Sequence, residues 1–355
     1  MLDLASIFRG VIRQKRGFIA IFFLSLFYFI GILAPWIAPY EVTDQDLKRT
    51  YHPPTRVFWK DWSLHVQRYQ LVDRASASYE PKRGDSVPIR WFERKASGRK
   101  FLGIPVERRL FSVPSEERIF LLGSDSVGRD VFSRLVYGSR VSLWIGVLGV
   151  TLSMIPGYWI GSFAGYWGGR VDHFLMRVCE MLMVIPGLYL LLALRSALGS
   201  RFPSDQMFLL IVCLMSLIGW SSYARVFRGL ALSMRERAFV WAAKGLGQST
   251  WKIIKIHFFP NMLSYAIVAG TMGIPGFILG EAALSFLGVG IQEPQASWGL
   301  MLSQAQDMKV FMLNFWWLLT PGLAIFIVVI LFNILGDLLR DLVDPQFRMT
   351  GRPNS

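Results

Sequence analysis

Val240-Trp241-Ala242-Ala243-Lys244-Gly245-Leu246-Gly247, followed by Ile254, His257 and Pro260, is a polar and basic stretch lying between long apolar segments. A short soluble piece inside a membrane chain is commonly there to be gripped by a partner, so the fold turns on what surrounds it. The 355-residue chain is 53% hydrophobic and 14% aromatic and only 17% charged, which places it in the membrane class. Cys179 and Cys213 both sit in apolar runs and read as packing residues, without support for a disulfide framework or a metal site. The formal charge of +14 does not point to nucleic acid. Of the 38 Lys and Arg, 19 fall in residues 41–140, interleaved with 13 acids rather than drawn into a stripe.

A lipid-crossing helix needs about 20 mostly apolar residues. Six segments qualify: 18–37, 141–163, 178–198, 208–223, 262–287 and 312–335. The first is too long for the apolar core of a signal peptide and reads as a retained helix. With the basic tail 1–17 placed inside, six crossings put 16 Lys and Arg inside. The short outside loops keep only Arg195, Arg201 and Lys309. Both termini are therefore expected in the cytoplasm and 38–122 outside. That external insert, rich in proline with short β-branched and aromatic runs, predicts a small β-rich elaboration, either a cap over the helix ends or a docking surface.

Pro156-Gly157, Pro186-Gly187, Pro275-Gly276 and Pro321-Gly322 fall within four of the six spans, and each predicts a kink or a helix end. Gly270, Gly273, Gly276 and Gly280 fall within roughly 120° of one helix face, where another helix can approach closely. Glu281, a lone acid in the fifth span, reads as a hydrogen-bond hub facing protein or water. Between the fourth and fifth spans, Gly245, Gly247, Ser249 and Thr250 divide two helix-like halves. Phe239, Ala243 and Leu246 share one face of the first, and Trp251, Ile254 and Phe258 one face of the second. The expected product is a helix-turn-helix elbow; a basic helix lying on anionic lipid is the competing reading.

Ala242-Ala243-x-x-x-Gly247 with Ile254, His257 and Pro260 resembles the EAA loop of ABC importer permeases. Further blocks resemble the second, C-type permease of the peptide and nickel importers. They are Gly123-Ser124-Asp125-x-x-Gly128-Arg129-Asp130 with Ser133-Arg134, Tyr137-Gly138 and Arg140; Gly280-Glu281 through Gly288 with Pro294 and Ser297-Trp298-Gly299; and Asp337, Arg340-Asp341 and Asp344-Pro345. The resemblance implies an all-α, six-helix type I importer domain, with a permease core at 123–348, a coupling loop at 236–260 and a short tail at 349–355. Ala242, Ala243, Gly247, Ile254, His257 and Pro260 would meet an ATPase. Gly123, Asp125, Gly128, Arg129, Asp130, Arg134, Arg140, Glu281 and Trp298 would be structural or pathway residues. It further implies a second homologous permease, two ATPase subunits that hold the ATP and Mg, and an extracytoplasmic substrate-binding protein, in the cytoplasmic (inner) membrane.

The chain departs from the family's pattern where Trp241 replaces the usual Glu of the loop, a place Glu236 could fill, and in the length of its insert. No cofactor, metal or nucleic-acid partner is expected in this chain, which lacks a G-x-x-x-x-G-K-[ST] phosphate loop and is not expected to be an enzyme. Peptide is the preferred cargo, and nickel or another small solute the alternative; the substrate-binding residues are left unknown. A secondary transporter would share the broken helices and the intramembrane acid but would not need the elbow. An intramembrane hydrolase is disfavoured because His52, His65, His173 and His257 all fall outside the six segments.

Overall fold

Proline and glycine decide where the helices of this chain stop. The computed structural model describes residues 4–93, 100–101, 104–106, 108–114, 117–199, 202 and 206–343. Arg201, Asp344, Pro345, Arg348, Arg352 and the tail 349–355 lie outside the described residues. The helices in chain order are α1 (Leu4–Arg13), α2 (Lys15–Ile32), α3 (Ala34–Ile37), α4 (Val131–Trp167), α5 (Gly169–Val184), α6 (Gly187–Gly199), α7 (Met207–Arg235), α8 (Ala238–Gly245), α9 (Thr250–Ile253), α10 (Phe259–Phe286), α11 (Trp298–Ser303), α12 (Met308–Met312) and α13 (Thr320–Val343).

Five described stretches are long and apolar enough to cross a membrane, and the pair α5 and α6 makes a sixth, bent by 84°. The break falls where expected: Ile185, ahead of Pro186, adopts extended backbone (φ −70°, ψ 123°), as a pre-proline residue prefers. The third span expected at 178–198 is thus two helices that meet at the expected Pro186-Gly187 break. Pro321 stands in the first turn of α13, which tolerates a missing N–H. Pro156 and Pro275, by contrast, lie inside uninterrupted helices. α4 has 37 residues and starts ten positions before the expected span, so Arg134 and Arg140 are already helical. The expected tail 1–17 contains α1 and the start of α2. His173 lies within α5 and His257 within the helical stretch leading into α10, so neither is a loop residue.

Between α3 and α4 the chain is β-structured. β1 (Val57–Lys60), β2 (Ser63–Asp73) and β3 (Ser78–Pro88) form an antiparallel sheet in that order, with Val57 opposite Val66 and Val66 opposite Val87. Two short pairs join β4 (Arg90–Trp91) to β7 (Phe111–Ser112) and β5 (Lys100–Phe101) to β6 (Ile104–Pro105).

The chain divides into two compact units. One holds 1–24, 144–280 and 327–355; a core cluster within it centres on Tyr158, Phe227, Val240, Ile253, Ile254 and Phe258. The other holds 25–143 and 281–326; Val66, Ile89, Phe111 and Ile119 pack beneath its sheet, and Val131, Met301, Phe315 and Trp317 form a separate cluster.

Candidate functional site

The elbow is a helix, a glycine cap and a second helix fastened to the first unit. α8 ends at Gly245 with Leu246 as its cap residue, and Gly247 turns the chain with φ +69°. Gly247 N–H donates to Lys244 O (2.9 Å) and Gln248 N–H to Ala243 O (3.0 Å), the paired bonds of a Schellman cap that glycine makes without steric penalty. Ser249 Oγ then accepts from Lys252 N–H and opens α9. His257 Nε2 and Gln248 Oε1 are hydrogen-bonded at 3.1 Å, which ties the cap to the second half.

Residues Ile254–Phe258 form a π turn that ends two positions before Pro260. Pro260 cannot donate to Ile256, and its ring would press on that carbonyl; a widened turn makes the room. Tyr158 of α4 donates its hydroxyl to Ile254 O (2.8 Å), and Trp159 stacks on Trp251 with centroids 4.0 Å apart.

Burial splits the six loop residues. Ala243 and Ile254 are buried with Val240, Ile253 and Phe258 against Phe227, Ala231 and Met234 of α7. Ala242 and Gly247 are exposed, and His257 and Pro260 half-buried. Leu246, expected on the Ala243 face, is instead 79% exposed, because the cap carries the chain away one residue earlier. Trp241 is 56% exposed, with the Lys244 ammonium 4.7 Å from its ring. Glu236 pairs with its neighbour Arg235 (2.9 Å) and makes no described contact within the loop. The exposed side thus carries Trp241, Ala242 and Leu246 together with Lys244, opposite the buried inner face.

The anchoring layer below was not read from the sequence. On α4, Gly157, Gly161 and Gly165 recur every four residues, and a Cβ on Gly161 or Gly165 would collide with the Ala224 or Arg228 carbonyl of α7. Their spacing is the small-residue period of close helix packing and was legible. Of the glycines that were singled out, Gly273 faces Tyr223 and Gly280 faces Met215, whereas Gly276 faces open space.

The second group of expected residues lies in the other unit. Asp125 Oδ1 accepts from Val127 and Arg129 N–H, and its Oδ2 pairs with Arg129 Nε at 2.6 Å. Arg129 and Arg134 both reach Glu293, at 2.7 and 3.0 Å. Glu293 is a clamp residue 159 positions from Arg134 that no local pattern announces. Gly123 (φ +73°) and Gly128 (φ +76°) approach Trp317 and the Asp46 carbonyl so closely that no side chain fits.

Asp130 caps α4, its Oδ2 accepting from Ser133 N–H (2.8 Å) and Oγ–H (2.6 Å), and burial pushes its carboxyl up to about 7. Arg140 donates to the Gly31 and Ile32 carbonyls (2.6 and 2.7 Å), satisfying the open end of α2. Trp298, fully buried, donates from Nε1 to Leu135 O (3.0 Å) and from its backbone N–H to Ser142 Oγ (3.1 Å). Glu281 is buried too; Ser285 Oγ–H donates to its Oε1 (2.6 Å), and the Ser142 and Ser297 hydroxyls face the same carboxyl group. Arg140 and Trp298 tie chain segments together.

Beside α5 and α7 a polar cavity of about 370 Å³ is lined by Asp172, His173, Glu180, Arg225 and Arg228, with Arg228 and Asp172 in a bidentate pair (2.5 and 2.6 Å). Among the described residues no cluster of three or more His, Cys, Asp or Glu could hold a metal ion.

Apolar spans, one of them broken, and a fastened elbow between the fourth and fifth are the features to set beside known proteins. The chain belongs to the family of binding-protein-dependent transport system inner membrane components, whose model matches residues 157–349. The N-terminal TM domain of oligopeptide transport permease C matches residues 4–54. Among its relatives, the dipeptide transport system permease protein DppC of Bacillus subtilis is 37% identical over 66% of this chain and 71% of its own length. A putative peptide transport system permease protein of Brucella abortus is 41% identical over 69% and 79%. The di/tripeptide transport system permease protein DppC of Pseudomonas aeruginosa is 29% identical over 97% and 93%. As a permease subunit, the chain is a multi-pass membrane protein and not itself an enzyme.

Proposed function

We propose that this chain is the C-type permease of an ATP-driven peptide importer of the cytoplasmic (inner) membrane, with both termini in the cytoplasm. A second homologous permease completes the pathway, two ATPase subunits bind the ATP and Mg, and an extracytoplasmic binding protein delivers cargo. The observation that carries this reading is the two-faced elbow: Ala243 and Ile254 are locked into the core, while Trp241, Ala242 and Leu246 stand exposed on the other side. An apolar face held rigid by its opposite side suits a contact that must transmit displacement between two states. Peptide names among the relatives support peptide over nickel or another small solute.

The test is Gly247→Val in the reconstituted importer. A Cβ there meets no atom of this chain, so steric damage to the permease is not at issue. The left-handed conformation, however, costs a side chain about 1–2 kcal/mol. The variant should insert normally, while peptide-stimulated ATP hydrolysis falls on the order of tenfold. Wild-type stimulation in the variant would falsify the coupling role. Peptide uptake without ATP would place the chain among secondary transporters instead.

A further inference from the structure

The first helix takes no part in the proposed coupling, and its surface is organised for something else. α1 ends in a sharp turn at Gln14, whose N–H reaches back to Val11 O (3.2 Å). A Cβ on Gly17 would strike that same Val11 carbonyl. In a straight helix six residues span about 9 Å along the axis, so this approach requires α1 to fold back across the entrance of α2. α2 is a candidate membrane span, and a helix folded across the end of a span runs along the membrane surface.

The faces of α1 are segregated around its axis. Ile7 and Val11 are buried with Val268 of α10 and Leu339 of α13, and Gly10 lies against Leu342. About 100° further round, Phe8 and Ile12 are exposed, at 57% and 38%. Phe18, Ile19, Phe22 and Phe23 of α2, the next helix, are exposed as well, a surface suited to acyl chains. Beyond it stand Arg9 and Arg13, and the turn adds Lys15 and Arg16; Arg13, Lys15 and Arg16 are exposed, and residues 4–17 contain no acid.

We infer that α1 is an interfacial anchor for anionic phospholipid, seating Phe8 and Ile12 at the acyl boundary while Arg13, Lys15 and Arg16 gather the headgroups. Cationic residues flanking an exposed apolar strip, on a helix that leads directly into a candidate span, match such a lipid in both charge and polarity. A soluble phosphate would account for the charges but not for Phe8 and Ile12. Through Val268 and Leu339 the anchor bears directly on two spanning helices, so headgroup charge acts on the permease core.

The test uses the full-length chain carrying Cys179→Ser and Cys213→Ser, in nanodiscs of phosphatidylcholine with or without phosphatidylglycerol. A spin label at Ile12→Cys should collide with oxygen in preference to a water-soluble nickel complex. In a separate measurement on the native chain, bound phosphatidylglycerol should exceed bound phosphatidylcholine. Replacing Arg13, Lys15 and Arg16 together by Gln should cut that preference at least about fivefold. A label open to the nickel complex would overturn the proposal by placing the strip in water. A label shielded from both reagents would overturn it in favour of a protein cover. An unchanged lipid preference in the triple variant would overturn the headgroup role, and the Ile12 measurement stands even if that variant does not fold.

Discussion

Gly247 and Asp130 show how a single residue is set by its surroundings, and the two differ in how visible that is beforehand. The glycine cap was readable because a helix that stops and restarts needs a left-handed residue between its halves. The burial of Asp130 was not, because it depends on chain brought in from elsewhere. That burial has a pH signature. With its carboxyl raised from 3.8 to about 7, the folded chain binds more protons than the unfolded chain across that window, so Asp130 lowers stability as pH rises through it. His52, packed among Tyr69, Tyr79 and Phe120 and lowered by burial from 6.5 to about 4, acts oppositely, losing stability as pH falls through its own window. Asp130→Asn keeps a cap acceptor for Ser133 and removes one of the two slopes. Its thermal stability in detergent should therefore gain on wild type by about 1.4 kcal/mol per pH unit between those limits. A gap that does not change with pH would show Asp130 ionised in the folded chain.

At the scale of elements, the helices outrun the apolar runs that announced them. The first turns of α4 carry Arg134 and Arg140, which end a hydropathy window yet are satisfied by Glu293 and by the end of α2. The bend at Pro186 was legible, and Pro156 lies within a continuous helix, where neighbouring helices can support a proline. The α4 glycines carry a sharp prediction. Gly161→Leu forces α4 off the α7 backbone and should abolish the monodisperse peak in size-exclusion chromatography. Gly229→Ala, whose Cβ meets nothing, should be neutral or stabilising by up to about 1 kcal/mol. Equal behaviour of the two variants would mean that the helices can slide apart without cost.

For the whole molecule, charge counting and the helix inventory meet at the bent pair of α5 and α6. If the pair crosses the membrane, the chain makes six passes and both termini share a side; if it turns back, they part. The 16-to-3 bias in short-loop Lys and Arg favours six. Reporter fusions should therefore find both ends in the cytoplasm, and a C-terminal reporter active only outside would make the pair re-entrant. The class of the protein and its elbow were legible because they rest on local patterns. The division into two units, and the clamp that joins Arg129 and Arg134 to Glu293, arise from residues far apart in sequence.

Where Gly161 and Gly165 meet α7, backbone lies directly on backbone. Apart from the Ala231 methyl, which has no rotamer to change, no side chain stands between them to absorb displacement, and the elbow core is seated on the same two helices. If the elbow does transmit displacement as proposed, such a joint has no backlash: a small movement at the input would not be lost before it reached the far end.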